Sequence, residues 1–183
     1  MKITREYPGL VEDTWCFRFT GSIESEGSIE IDLGDKWLVL AGSLKASQGI
    51  EAGWGIEASQ GIEAGWGIEA SQGIKAGGGI KAGWGIEASQ GIEAGWGIKA
   101  GWGIKAGGDI EAGGGIKAGW GIEAGGGIEA GLFVRCKQVL TFKFYLFAGV
   151  ATWKRATGDE MIIEAKRVDG EVKYGTVRLL VLL

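Results

Sequence analysis

Trp66, Trp84, Trp102 and Trp120 recur at every eighteenth position, and Lys81, Lys99, Lys117 and Arg135 keep the same interval. An indole column on a surface can stack on sugars or bases. Equally, each indole can lie flat on the next layer of backbone and only stabilise a corner. Like cations held close together repel, so a cationic column suits an anionic partner. The plain alternative is a solvated face whose lysines splay apart. Nothing else in the chain announces chemistry. There is no His, so the commonest general base is missing. Cys16 and Cys136 are far apart, and the Asp and Glu residues follow the repeat rather than a coordination loop. Gly-Trp-Gly-Ile-Lys-Ala resembles a phosphate-binding loop only superficially, because no Gly-Lys-Ser/Thr and no helix follow it. The reading is therefore of a non-enzyme, with no catalytic residue, metal site or cofactor.

What must position these columns is a six-residue unit, Ile-Glu/Lys-Ala-Gly-x-Gly, that runs in constant phase from Ile50 to Ala130. Looser copies extend it to Leu38 and to about Ala151. So short a unit buries nothing alone and must stack on its neighbours. In Ile62-Glu63-Ala64 an extended backbone sends Ile and Ala to one side and Glu to the other. The glycines that follow permit a corner. A helix is excluded, because the apolar period is six rather than 3.6 and each Gly costs about 1 kcal/mol in a helix.

The coil length follows from the variable positions. Sorted by 18, one charged column reads Lys45, Glu63, Lys81, Lys99, Lys117, Arg135. A second reads Glu51, Glu69, Glu87, Lys105, Glu123, and a third Glu57, Lys75, Glu93, Glu111, Glu129. Sorting by 12 mixes the signs. The expectation is an all-β fold: a single-stranded parallel β-solenoid, triangular in section, with about 18 residues per coil. Right-handed coiling is preferred. About six coils at about 4.8 Å each make a prism roughly 30 Å long. Residues 1–37 read as an N-terminal cap with short strands, 38–151 as the solenoid, and 152–183 as a C-terminal β-hairpin turning at Asp169-Gly170. Leu140–Gly149 reads as a widened final coil. Leu179, Leu180, Val181 and Leu182 are too apolar for water, and form a cap or a subunit interface.

Composition sets outer limits. Gly is 37 of 183 residues with a single Pro, which excludes collagen. Ile at fixed spacing and 45% hydrophobic residues argue against disorder. A net charge of −4 is too small to imply a polyanion partner by itself. With no apolar run of membrane-spanning length and no secretion signal, the chain reads as soluble and cytoplasmic, without a membrane partner.

The hexads of Leu38–Ala151 resemble those of the hexapeptide-repeat and bactofilin-like triangular β-solenoids. In hexapeptide acyltransferases a small residue follows the aliphatic one by four; here Ala follows by two, as in Ile62 and Ala64, which is closer to the bactofilin-like texture. That resemblance implies a right-handed solenoid that polymerises. The acyltransferase resemblance, without a His base, implies at most an inactive relative. The function expected is a rigid non-catalytic scaffold that binds a macromolecular partner or self-assembles through the C-terminal hairpin or a solenoid end. The alternative is a phage-type protein that inhibits a host nucleic-acid-processing defence effector by occupying its surface. A protein is the favoured partner and nucleic acid the weaker choice. The face expected to bind combines Lys81, Lys99, Lys117 and Arg135 with Trp66, Trp84, Trp102 and Trp120 along its edge.

Overall fold

The computed structural model describes residues 1–181, and in it the chain is a parallel β-solenoid of three sheets with nine, nine and ten strands. Each coil contributes one strand to each sheet. From Leu38 to Ala148 successive strands of a sheet are 18 residues apart, so that Lys81 stacks on Glu63 and Ile98 on Ile80. The three sheets are the sides of a triangular prism. The basic face contains Leu44–Ala46, Ile62–Ala64, Ile80–Ala82, Ile98–Ala100, Ile116–Ala118 and Val134–Arg135. The acidic face contains Ile50–Ala52, Ile68–Ala70, Ile86–Ala88, Ile104–Ala106 and Ile122–Ala124. The third face contains Ile56–Ala58, Ile74–Ala76, Ile92–Ala94, Ile110–Ala112 and Ile128–Ala130.

Burial follows the strand alternation. From Ile50 to Ala130 every Ile and Ala of a hexad is at most 6% exposed, and the charged residue between them faces out. Each Ile stacks on an Ile and each Ala on an Ala of the next coil, so the interior is a set of apolar columns. The corners are hydrogen-bonded as well: Trp84 N–H donates to the Trp66 carbonyl at 3.1 Å, and Gly83 N–H to the Ala64 carbonyl at 3.0 Å. Backbone polar groups are therefore satisfied between coils rather than within one.

The repeat glycines are required for a reason other than φ. No glycine from 42 to 131 has a positive φ. What excludes a side chain is close approach. A Cβ at Gly83 would overlap the Gly65 carbonyl oxygen, and one at Gly101 the Gly83 carbonyl. The glycine just before Ile is looser where no aromatic ring covers it: a Cβ at Gly103 would meet only the Gly121 carbonyl oxygen, at 3.5 Å.

The stack is longer than the repeat alone indicates, at about nine turns, or roughly 40 Å. Cys16–Phe19, Ile23–Ser25 and Ile29–Ile31 form a full coil, pairing in parallel with Trp37–Leu40, Leu44–Ala46 and Ile50–Ala52. The offset there is 21 residues, as between Ser22 and Ser43 and in the adjoining pair Ile23↔Leu44, because the corner around Gly34 is longer. Lys2–Ile3 pairs with Glu30–Ile31, and Val11–Glu12 runs antiparallel against Phe17–Arg18. Residues 1–15 thus close this end.

The other end departs from expectation. There is no hairpin at Asp169-Gly170. Arg167–Asp169 pairs in parallel with Val139–Thr141, and Val172 and Tyr174 pair with Leu146 and Phe147 on a different face. Gly170, at φ 147°, turns a solenoid corner. A hairpin would satisfy the strands' own bonds but leave the preceding coil's edges unpaired. Leu140–Gly149 keeps phase, yet another coil lies beyond it, so it is not the last. Thr176–Leu179 then begins a further coil by pairing with Ile162–Ala165. The single 3₁₀ turn among the described residues, Gly158–Met161, lies in the loop before it. Among the described residues no helix is long and apolar enough to cross a membrane.

Candidate functional site

Glu63, Lys81, Lys99, Lys117 and Arg135 lie one coil apart in direct register on the basic face. They are not equivalent. Lys81 is paired with Glu63 at 2.5 Å, and this cation holds the Glu63 carboxyl below the usual carboxylate range. The Arg135 guanidinium lies 4.4 Å from the Phe133 ring centroid and donates to the Asp159 carbonyl at 3.1 Å. Its buried Nε has no acceptor among the described residues. Lys99 and Lys117 have no carboxylate within ion-pair distance among the described residues. The cationic column therefore keeps three ammonium groups without an ion-pair partner among the described residues, Lys45 at one end and Lys99 and Lys117 above a floor formed by Gly79, Gly97 and Gly115, with Phe133 closing the other end.

The four tryptophans form a column at the corner between the basic and acidic faces. They are 52–62% exposed. Trp66 stacks on Trp84 at 6.1 Å and Trp102 on Trp120 at 5.9 Å, with ring planes 20° and 23° apart. So the column is two stacked pairs that both stabilise the corner and face solvent. The rings lean away from the lysines. Trp66 and Trp84 line a trough of about 460 Å³ with Glu51, Glu69 and Glu87, and Trp120 lines its continuation with Glu87, Lys105 and Glu123. The trough on the basic face is lined by lysines and Phe133 and by no Trp. The sequence places the indoles on the lysine edge; the structure sets Trp66, Trp84 and Trp120 in the troughs lined by Glu51, Glu69, Glu87 and Glu123. Corner position is legible from a repeat, but side-chain direction is a rotamer choice. The glycine after each Trp leaves the acidic-face floor bare for the indole to lean over.

The acidic column is also uneven. Glu87 pairs with Lys105 at 3.2 Å, which raises the lysine's pKa. Glu51 and Glu69 stack on each other with no ion-pair partner among the described residues. The third face carries the same balance of four carboxylates and one lysine, and there Lys75 pairs with Glu93 at 3.0 Å. Further along, burial, then Glu129, Glu93 and Asp109, push the Glu111 carboxyl up.

Several contacts have no counterpart in the sequence reading. Trp37 covers Gly55 and Gly73, Phe133 covers Gly115 and Tyr145 covers Gly127, so aromatic rings bracket the glycine floors. Trp153 donates from Nε1 to the Gly113 carbonyl and, with Trp96, walls an apolar slot of about 540 Å³ over Gly114 and Leu132. A tryptophan in the one segment that interrupts the hexads was the available signal. Of the residues expected at a subunit interface, Leu179 and Val181 are 57% and 84% exposed, Leu180 is partly buried, and Leu182 lies outside the described residues. Cys136 is buried at an Ala position, which pushes its thiol up to about 11 and makes it an inert filler. No group of three or more Cys, Asp or Glu among the described residues could hold a metal ion.

Compared with protein-family models, with curated proteins and with solved structures, the chain matches none. What is established is the architecture, a parallel β-solenoid with about 18 residues per coil, and not membership of the hexapeptide-repeat or bactofilin-like families.

Proposed function

We propose that this protein is a rigid, non-catalytic scaffold that acts by laying a flat charged face against a macromolecular partner, a protein in preference to a nucleic acid. The observation that carries this reading is the outward arrangement of Lys99, Lys117 and the four exposed tryptophans. None of these is needed to fill the core. Two ammonium groups at strand spacing repel each other, and four indoles more than half exposed are an unusual load of apolar surface. A partner relieves both costs. Exposed Trp is also among the side-chain types that dominate interface energetics. The β-ladder fixes their spacing, so little ordering entropy is lost on binding.

The test is capture from native cells with the wild-type chain and with the Lys99→Glu/Lys117→Glu variant as baits. The fold should survive, because both positions face outward; unchanged circular dichroism and Tm check this. The reading requires a protein that the wild type retains and the variant releases, with retention lost at high salt. Equal retention by both baits, or none by either, overturns it.

A further inference from the structure

Two unpaired charge sets of opposite sign lie on adjacent faces of one molecule, on either side of the tryptophan corner. Lys99 and Lys117 are one coil apart on the basic face; Glu51 and Glu69 are one coil apart on the acidic face, beneath the Trp66–Trp84 pair. We infer that the occupant of the acidic, tryptophan-walled trough is the basic face of a second copy of this chain. The inference rests on the scaffold reading above and names its partner.

The spacing decides in favour of a second copy. Carboxylates in this trough repeat with the coil, at about 4.8 Å. An extended peptide presents same-side chains about 6.6 Å apart, so a basic peptide drifts out of step with the ladder after two or three cations. Another copy's lysines repeat with the same coil and stay in step over the whole contact, whichever way the two prisms run. The chemistry also fits. Lysine stems lie along the exposed indoles while the ammonium groups reach Glu51 and Glu69, combining apolar cover with cation–π and ionic attraction. The same pairing already occurs within the chain, where Lys105 meets Glu87 and Lys81 meets Glu63 one coil away.

Such a contact is heterologous: one copy gives its basic face and the other its acidic face. Each added copy leaves one face of each kind free, so assembly continues past the dimer. Two complementary variants turn this into a test. Lys99→Gln/Lys117→Gln keeps an intact acidic trough, and Glu51→Gln/Glu69→Gln keeps an intact basic face; neutral replacements leave the two altered surfaces with no charge attraction for each other. By sedimentation velocity at low salt, the wild type should give a mass that rises with concentration beyond a dimer. Each variant alone should be monomeric. An equimolar mixture should stop at a dimer holding one of each, with a blue-shifted Trp emission as the trough closes. At about 1 M salt, where the screening length is about 3 Å, all samples should revert toward monomer. A wild type that stays monomeric at submillimolar concentration overturns the inference, and so does a mixture that stays monomeric while the wild type assembles. If the wild type is monomeric yet the native-cell capture remains lysine-dependent, the partner is foreign and the scaffold reading stands. If neither occurs, both fall.

Discussion

The central coils and the C-terminal coil are built on the same plan but sealed to different degrees. At Ile98 and Ala100 the inward side chains have a coil above and below, and are 1% and 2% exposed. At Val177 and Leu179 the same inward register is kept, since they stack on Ile163 and Ala165. Yet they are 44% and 57% exposed. The strand alternation decides which way a side chain points; only the next coil decides whether it is buried. Stability in such a stack is a sum of nearest-neighbour terms, so the two regions should answer very differently to the same kind of substitution.

The largest effect is expected from Ile98→Ala. It removes most of a fully enclosed side chain from a column that cannot collapse, and should cost about 2–5 kcal/mol by denaturant unfolding. Leu179→Ala, at the open end, should cost well under about 1 kcal/mol, since little of that side chain leaves water on folding. Equal losses at the two positions would mean that the terminal coil is covered in solution, for example by a contact between subunits.

A smaller contrast lies within one corner. Gly101→Ala puts a methyl group into the Gly83 carbonyl and forces the coils apart, an overpacking cost of about 1–3 kcal/mol. Gly103→Ala, two residues on, meets only one oxygen at 3.5 Å and should shift stability by no more than about 0.5 kcal/mol. If both are tolerated alike, the repeat glycines are there for corner flexibility and not for the close approach of carbonyls.

These contrasts also mark how far the chain could be read without coordinates. The coil length and the three charge columns were legible because Ile, charge and Ala recur with one period, and that period is the geometry. The role of Gly83 and Gly101 was not, because a sequence shows that glycine is required without showing whether φ or an oxygen requires it. The coil from Cys16 to Ile31 was hidden by the longer corner at Gly34, which moves Ile23 and Ile29 out of phase with the hexads. Asp169-Gly170 is a valid turn signal, but a turn between strands of two different faces has the same local chemistry as a hairpin. The lean of Trp66 and Trp84 toward Glu51 and Glu69 depends on rotamers, which no periodicity encodes.

The smallest effect sharpens the comparison on the surface. Glu111 stacks between Glu93 and Glu129 on the third face, and Asp109 lies close by. Glu93 is offset by Lys75, whereas Glu111 has no ion-pair partner among the described residues. Burial and these neighbouring carboxylates raise its pKa above the unfolded value. The folded state therefore holds a proton on Glu111 more tightly than the unfolded state does. Ionisation then costs stability at neutral pH, and this cost fades as pH falls through the folded value toward the unfolded one. Glu111→Gln removes the charge and keeps the shape. It should raise stability at pH 7 by about 0.2–1 kcal/mol, the range for like charges opposed across strands, with screening at this partly exposed site favouring the low end. The gain should shrink toward zero near about pH 4, where the wild-type carboxyl is largely protonated. Glu57→Gln is the control, because Glu57 faces Lys75 in register and its loss removes an attraction. Thermal melts of both variants across pH 4 to 8 distinguish the two. A Glu111→Gln gain that stays constant with pH would assign the effect to packing and not to charge.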